Sequence, residues 1–178
     1  LFLTLIMHSD FFNELKQNLP NSNWDIRKNW AQEIVNQNIE LQSLFPLLEE
    51  NKKVASRFLW LLSDVADVSN SILFAELPYL LKQSEKINHV DMKIAFTRFW
   101  QLTGVPEENE SQAIDMLFEY LNSSEIQVTQ KSRALFVLFD LTKKYPELKN
   151  ELKECLMIQR DKNTADFKLR ADKILAQL

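Results

Sequence analysis

The chain has 178 residues, 46% of them apolar and 26% charged, with a formal net charge of -4. That balance excludes an extended disordered chain and a strongly basic polyanion binder, and the length suffices for one compact core or a short repeat array burying roughly 70% of the unfolded surface. Its single glycine, Gly104, excludes tight β-hairpins, phosphate-cradling loops and dinucleotide fingerprints, all of which need glycine where φ is positive or a backbone comes close. What is left is a set of amphipathic helices punctuated by Asn, Ser, Asp and Pro.

The apolar start, Leu1-Phe2-Leu3-Thr4-Leu5-Ile6-Met7, has no basic flank and no small-residue cleavage site, and it is too short for a signal peptide or a membrane span. Met7 is the expected physiological start, unless the chain is a fragment. The first predicted helix covers residues 9–19, with Ser9 as N-cap and Pro20 beyond its end. A second covers 25–36, and together residues 1–37 read as an aromatic-rich N-terminal cap carrying Phe11, Phe12, Trp24 and Trp30.

From residue 38 the helices come in pairs: 41–50 with 52–68, 72–83 with 90–103, 111–121 with 125–144, and 147–158 with 165–176. Short loops make each pair an antiparallel hairpin. The second helices superpose on Arg57, Lys93, Lys131 and Lys168, spaced 36, 38 and 37 residues apart. The first helices echo one another as Leu44-Phe45-Pro46-Leu47-Leu48 and Leu77-Pro78-Tyr79-Leu80-Leu81. A hairpin of this size cannot bury both apolar faces alone, so four degenerate repeats over 38–178 stack into a continuous core. The expected fold is all-α, a right-handed α-α superhelix of about ten helices in one domain over 1–178.

Residues 38–178 resemble a family of small HEAT- and armadillo-like helical-repeat proteins. The resemblance rests on Arg57-x-x-Trp60-x-Leu62, His89-Val90-Asp91, Val128-x-x-Lys131-x-x-Ala134 and Phe167-Lys168-x-Arg170-Ala171-x-x-Ile174-Leu175. Some members carry an adenylosuccinate lyase label, which implies a glycine-containing loop with paired serines. Gly104 sits in Leu102-Thr103-Gly104-Val105-Pro106 with no serine beside it, so that activity does not carry over.

No catalytic residue, cofactor or metal site is expected. His8 and His89 stand apart from ligand-spaced partners, and His89 with Asn88 and Asp91 reads as helix capping. Cys155, the only cysteine, sits beside core residues and points to a reduced, cytoplasmic protein with no internal disulfide. Asp64 and Asp67 lie one turn apart with nothing to place them in a cleft, and Glu107, Glu108 and Glu110 suit a helix N-terminus. Trp60 and Trp100 read as core residues, Trp60 because Phe58, Leu61 and Leu62 surround it in sequence.

Charge is unevenly spread, with 10 basic against 18 acidic residues over 1–128 and 11 against 7 over 129–178. Stacked repeats would align Arg57, Lys93, Lys131 and Lys168, with Arg170, into a basic stripe for carboxylates, phosphates or an acidic peptide. The plainer reading pairs these cations with Asp64, Asp91, Asp140 and Asp172 on a solvated surface. The leading functional expectation is therefore a non-enzymatic protein or peptide interaction module. The alternative is a nucleic-acid protein similar in architecture to the HEAT-like alkylpurine DNA glycosylases, recruiting Trp60 or Trp100, Asp91 or Asp140, and the basic residues. The acidic net charge counts against it, because phosphate neutralisation calls for a strongly basic face.

Overall fold

A chain with one glycine must start and stop its helices by other means, and side-chain oxygens open three of them. The structure is a computed structural model that describes residues 2–87 and 90–178. Asn23 Oδ1 accepts from the Ile26 N–H at 2.9 Å to open α2 (Trp24–Asn36), and Asn51 Oδ1 accepts from the Lys53 and Val54 N–H groups to open α3 (Lys52–Val68). Thr164 does the same for α9 (Ala165–Leu175) through the Phe167 N–H. The other helices are α1 (Phe2–Asn18), α4 (Asn70–Ser84), α5 (Val90–Thr103), α6 (Glu110–Asn122), α7 (Val128–Lys144) and α8 (Leu148–Gln159), and no strand occurs among the described residues.

Three segments differ from the sequence expectation. Helix α1 begins at Phe2, so position 9 lies inside it, because nothing in the apolar run breaks a helix. Residues Leu41–Glu49 form a 3-10 helix in place of an α-helix. Pro46 sits near its middle, where it removes one N–H and clashes with the carbonyl four residues back, leaving too little on either side to propagate an α-helix. Helix α7 starts at Val128, three residues later than expected, because the Glu125 N–H turns back to Ser123 Oγ at 3.1 Å. The capping role assigned to Asn88 and His89 and the side chain of His8 lie outside the described residues.

The chain divides into two compact units, Leu1–Thr103 and Gly104–Leu178. In the first, the Leu41–Glu49 segment and α4 form one layer over a second layer of α2, α3 and α5, while α1 packs on Leu41–Glu49 and on the short turn Leu19–Asn21. Phe58, Leu61, Leu62, Val65, Leu77 and Phe96 are wholly buried between the layers. Trp100 joins this core as expected, its ring 5.1 Å from Phe96. In the second unit α6 packs on α7 and α8, and α7 on α9, around Leu117, Leu121, Leu135, Leu138, Leu156 and Phe167. Among the described residues no helix is long and apolar enough to cross a membrane.

Two helix stops use the left-handed region. After α2 the backbone turns at Asn38 (φ +51°), a residue that tolerates this conformation, and after α5 it turns at Gly104 (φ +83°). A Cβ at Gly104 would meet nothing within 4 Å, so a side chain there is opposed by its own backbone and not by neighbours. Gly104→Ala is expected to cost about 1 kcal/mol of stability. A urea denaturation midpoint at or above that of the parent chain would overturn this account of the stop.

Candidate functional site

Helix α3 turns Phe58, Leu61, Leu62 and Val65 into the core, which leaves Lys53, Arg57, Trp60 and Asp67 along the opposite ridge and Asp64 at its edge. Trp60 is 51% exposed. This corrects its expected place in the core: successive residues turn by about 100°, so the ring is rotated away from the apolar neighbours that flank it in sequence.

Two guanidiniums lie over the Trp60 indole, Arg57 at 4.3 Å from the ring centroid and Arg27, from α2, at 5.2 Å. Arg27 is held in place because its Nε donates to Asp64 Oδ2 at 2.8 Å in a buried pair. Burial pushes the Asp64 carboxyl above its ordinary range, the Arg27 hydrogen bond and charge pull it back only in part, and the nearby Asp67 adds to the rise. On the other side, Ser56 Oγ donates to Asp91 Oδ2, and Arg98 Nη2 reaches Asp67 Oδ2 at 3.4 Å, tying α3 to α5. The result is an aromatic face flanked by cations and fixed by polar ties to both neighbouring helices.

The five cations singled out in the sequence have different surroundings. Arg57 lies over the Trp60 ring and, among the described residues, has no carboxylate within ion-pair distance. Lys93 is exposed on α5. Lys168 is paired with Asp161, and Arg170 Nε donates to Asp166 Oδ2 at 2.8 Å while its guanidinium lies 5.7 Å from the Phe136 ring. Lys131 is only 5% exposed, and its side chain has no hydrogen-bond or ion-pair partner among the described residues.

A HEAT repeat domain profile matches residues 11–178. The chain belongs to the HEAT repeat family. No curated protein and no solved structure matches it.

In this HEAT repeat chain the acids expected near the basic residues are engaged elsewhere: Asp64 with Arg27, Asp140 with Lys143, and Asp172 with Arg160 Nη1 at 2.6 Å. Of the residues a nucleic-acid groove would recruit, Trp100 is 1% exposed, with no partner for its Nε1 among the described residues. Glu110 does more than favour a helix N-terminus. Its Oε2 accepts from Lys144 Nζ at 2.7 Å and Tyr145 Oη at 2.6 Å, tying the start of α6 to the end of α7. Burial alone would raise the Glu110 carboxyl, but these two hydrogen bonds outweigh it and hold it below the usual range.

Lys131, on α7, lies within electrostatic reach of Cys155, on α8. Burial pushes the Lys131 ammonium below the ordinary lysine range, the interaction with Cys155 works in the opposite direction, and nearby Lys162 adds to the fall. Cys155 is a buried free thiol whose Sγ donates to Asn122 Oδ1 at 3.4 Å, and burial pushes its pKa up, so it is protonated at neutral pH and a poor nucleophile. Among the described residues no group of three or more His, Cys, Asp or Glu could hold a metal ion.

Arg27 was not recognisable as a site residue from sequence, since it belongs to a helix read as part of a cap. Its only signal was a cation in the first turn of an amphipathic helix, where an acidic residue is the more favourable choice. Arg27→Ala should lower stability by about 3 kcal/mol at neutral pH, because Asp64 would be left buried without its partner. The loss should shrink as pH falls and Asp64 takes up a proton, as read from denaturation midpoints at two pH values.

Lys131→Met should raise stability by about 1 kcal/mol at neutral pH. As pH climbs toward the ordinary lysine range the unfolded parent chain binds a proton that the folded chain has already released, so the parent gains stability that the variant lacks. The difference between the two urea midpoints therefore narrows as pH rises from neutrality into the ordinary lysine range.

Proposed function

We propose that this HEAT repeat protein is a non-enzymatic interaction module that uses the α3 ridge to dock an acidic segment of a protein or peptide. The observation that carries the reading is the half-exposed Trp60 with two guanidiniums near its ring. Tryptophan and arginine dominate the energetics of protein interfaces, because a rigid ring and a planar cation bury much area at small cost in rotamer freedom. Arg57, its Cζ 4.3 Å from the indole centroid, has N–H groups that can grip a carboxylate in bidentate fashion. Lys93, on the adjoining α5, adds positive charge. Lys168 and Arg170 already hold acids and Lys131 is buried, so the reading centres on Arg57 and Trp60.

Family membership supports a scaffold role, since helical repeats stack into extended surfaces suited to binding. The unpaired cysteine suits a reducing compartment such as the cytoplasm. Trp60→Ala and Arg57→Glu both change exposed or half-buried groups, so each variant should keep the parent melting temperature. Immobilised parent chain should recover partners from native lysate that both variants lose by about tenfold or more. Equal recovery by all three chains would overturn the proposed ridge.

A further inference from the structure

The two echoing proline motifs of the first-helix layer have no part in the α3 ridge, yet they meet. Phe45, one residue before Pro46, and Tyr79, one residue after Pro78, stack with ring centroids 5.6 Å apart and planes 12° from parallel. Beside them lies a small open groove of about 140 Å³, between the Leu41–Glu49 segment and α4. Its wall is Phe45, Pro46 and Tyr79, its floor includes Leu80 and Ile87, and Gln83 and Glu49 lie at the rim. The groove is joined across its end by Gln42 Nε2, which donates to Glu76 Oε2 at 3.0 Å.

Three properties of this groove narrow what fits it. Tyr79 is 44% exposed and presents a flat aromatic face with a free hydroxyl, since no partner of its Oη occurs among the described residues. The Gln83 amide adds a second hydrogen-bond donor at the rim. Among the lining residues Glu49 is the only charged one, and it has no ion-pair partner among the described residues. Parallel rings with donors at the edge suit a polyproline II segment, whose pyrrolidine rings pack flat on aromatic faces and whose backbone carbonyls have no partners of their own. A carboxylate with no accompanying cation selects a positive side chain.

We infer that the groove between Leu41–Glu49 and α4 is a docking site for an extended, proline-containing basic peptide, with Tyr79 stacking on the proline and Glu49 pairing with an arginine or lysine. The site goes beyond the acidic-segment reading and is independent of it. The core separates the two, because the groove belongs to the layer of Leu41–Glu49 and α4 and the ridge to the layer of α2, α3 and α5.

The test is fluorescence anisotropy of the full chain with two fluorescein-labelled proline-rich peptides, identical except that one carries two arginines where the other carries two glutamates. The arginine peptide should bind saturably and more tightly than the glutamate peptide. Tyr79→Ala should weaken it by about tenfold or more. Glu49→Lys, a change at an exposed position, should abolish or reverse the preference between the two peptides, and Trp60→Ala should leave both affinities unchanged. Thus the groove and the ridge succeed or fail separately. Absence of saturable binding up to about 1 mM chain, equal affinity for both peptides, or binding unaffected by Tyr79→Ala would each overturn the assignment. Self-association that Tyr79→Ala removes, with no peptide binding, would give the groove to a second copy of the chain and overturn it as well.

Discussion

Helix α3 is covered by α2 on one side, by α5 on another, and by α4 and the Leu41–Glu49 segment beneath, so that only a narrow ridge of it meets water. Burying so much of one helix is what a short helical hairpin cannot do alone, and it requires the neighbours to stack in two layers. It also crowds polar side chains against the edges of the ridge, where each must find a partner or lose its hydration. The Arg27–Asp64 pair, the Ser56–Asp91 hydrogen bond and the Arg98–Asp67 contact are the outcome. The Arg27–Asp64 tie also fixes one of the two cations at Trp60, so the packing constraint and the candidate site share a residue pair.

The buried ionisable groups show how differently such constraints can be met. Asp64 keeps a guanidinium beside it and is still raised, because desolvation outweighs one partner. Glu110 has two donors, Lys144 and Tyr145, and is lowered despite its burial. Lys131 has neither partner nor full hydration, and its ammonium is correspondingly disfavoured. The number of hydrogen bonds to the charged form, more than depth alone, decides the direction in these three cases.

The two candidate surfaces of the first unit carry side chains of opposite charge. Arg57 and Lys93 belong to α3 and α5, whereas Glu49 borders the groove at Leu41–Glu49 and α4. The hydrophobic core between the layers holds these features apart and keeps each from neutralising the other. Charge counted along the chain, acidic over 1–128 and basic beyond, does not reveal this arrangement, because it sums over faces that never meet.

The all-α class and most helix bounds were legible in the residues: α3 and α5 occupy the expected spans, and Gly104 takes the left-handed stop that its position after Thr103 demands. These are local properties, set by periodicity, capping and the φ preferences of single residues. Trp60 was misread because apolar neighbours in sequence are not neighbours on a helix face, and Lys131 gave no sign of its burial because a cation on α7 looks the same whichever way the helix turns. Arg27 reaches Trp60 and Asp64, and Phe45 reaches Tyr79, across more than thirty residues of sequence. Such contacts depend on how one helix packs against another, and that is decided by the whole core at once and not by any segment of the chain.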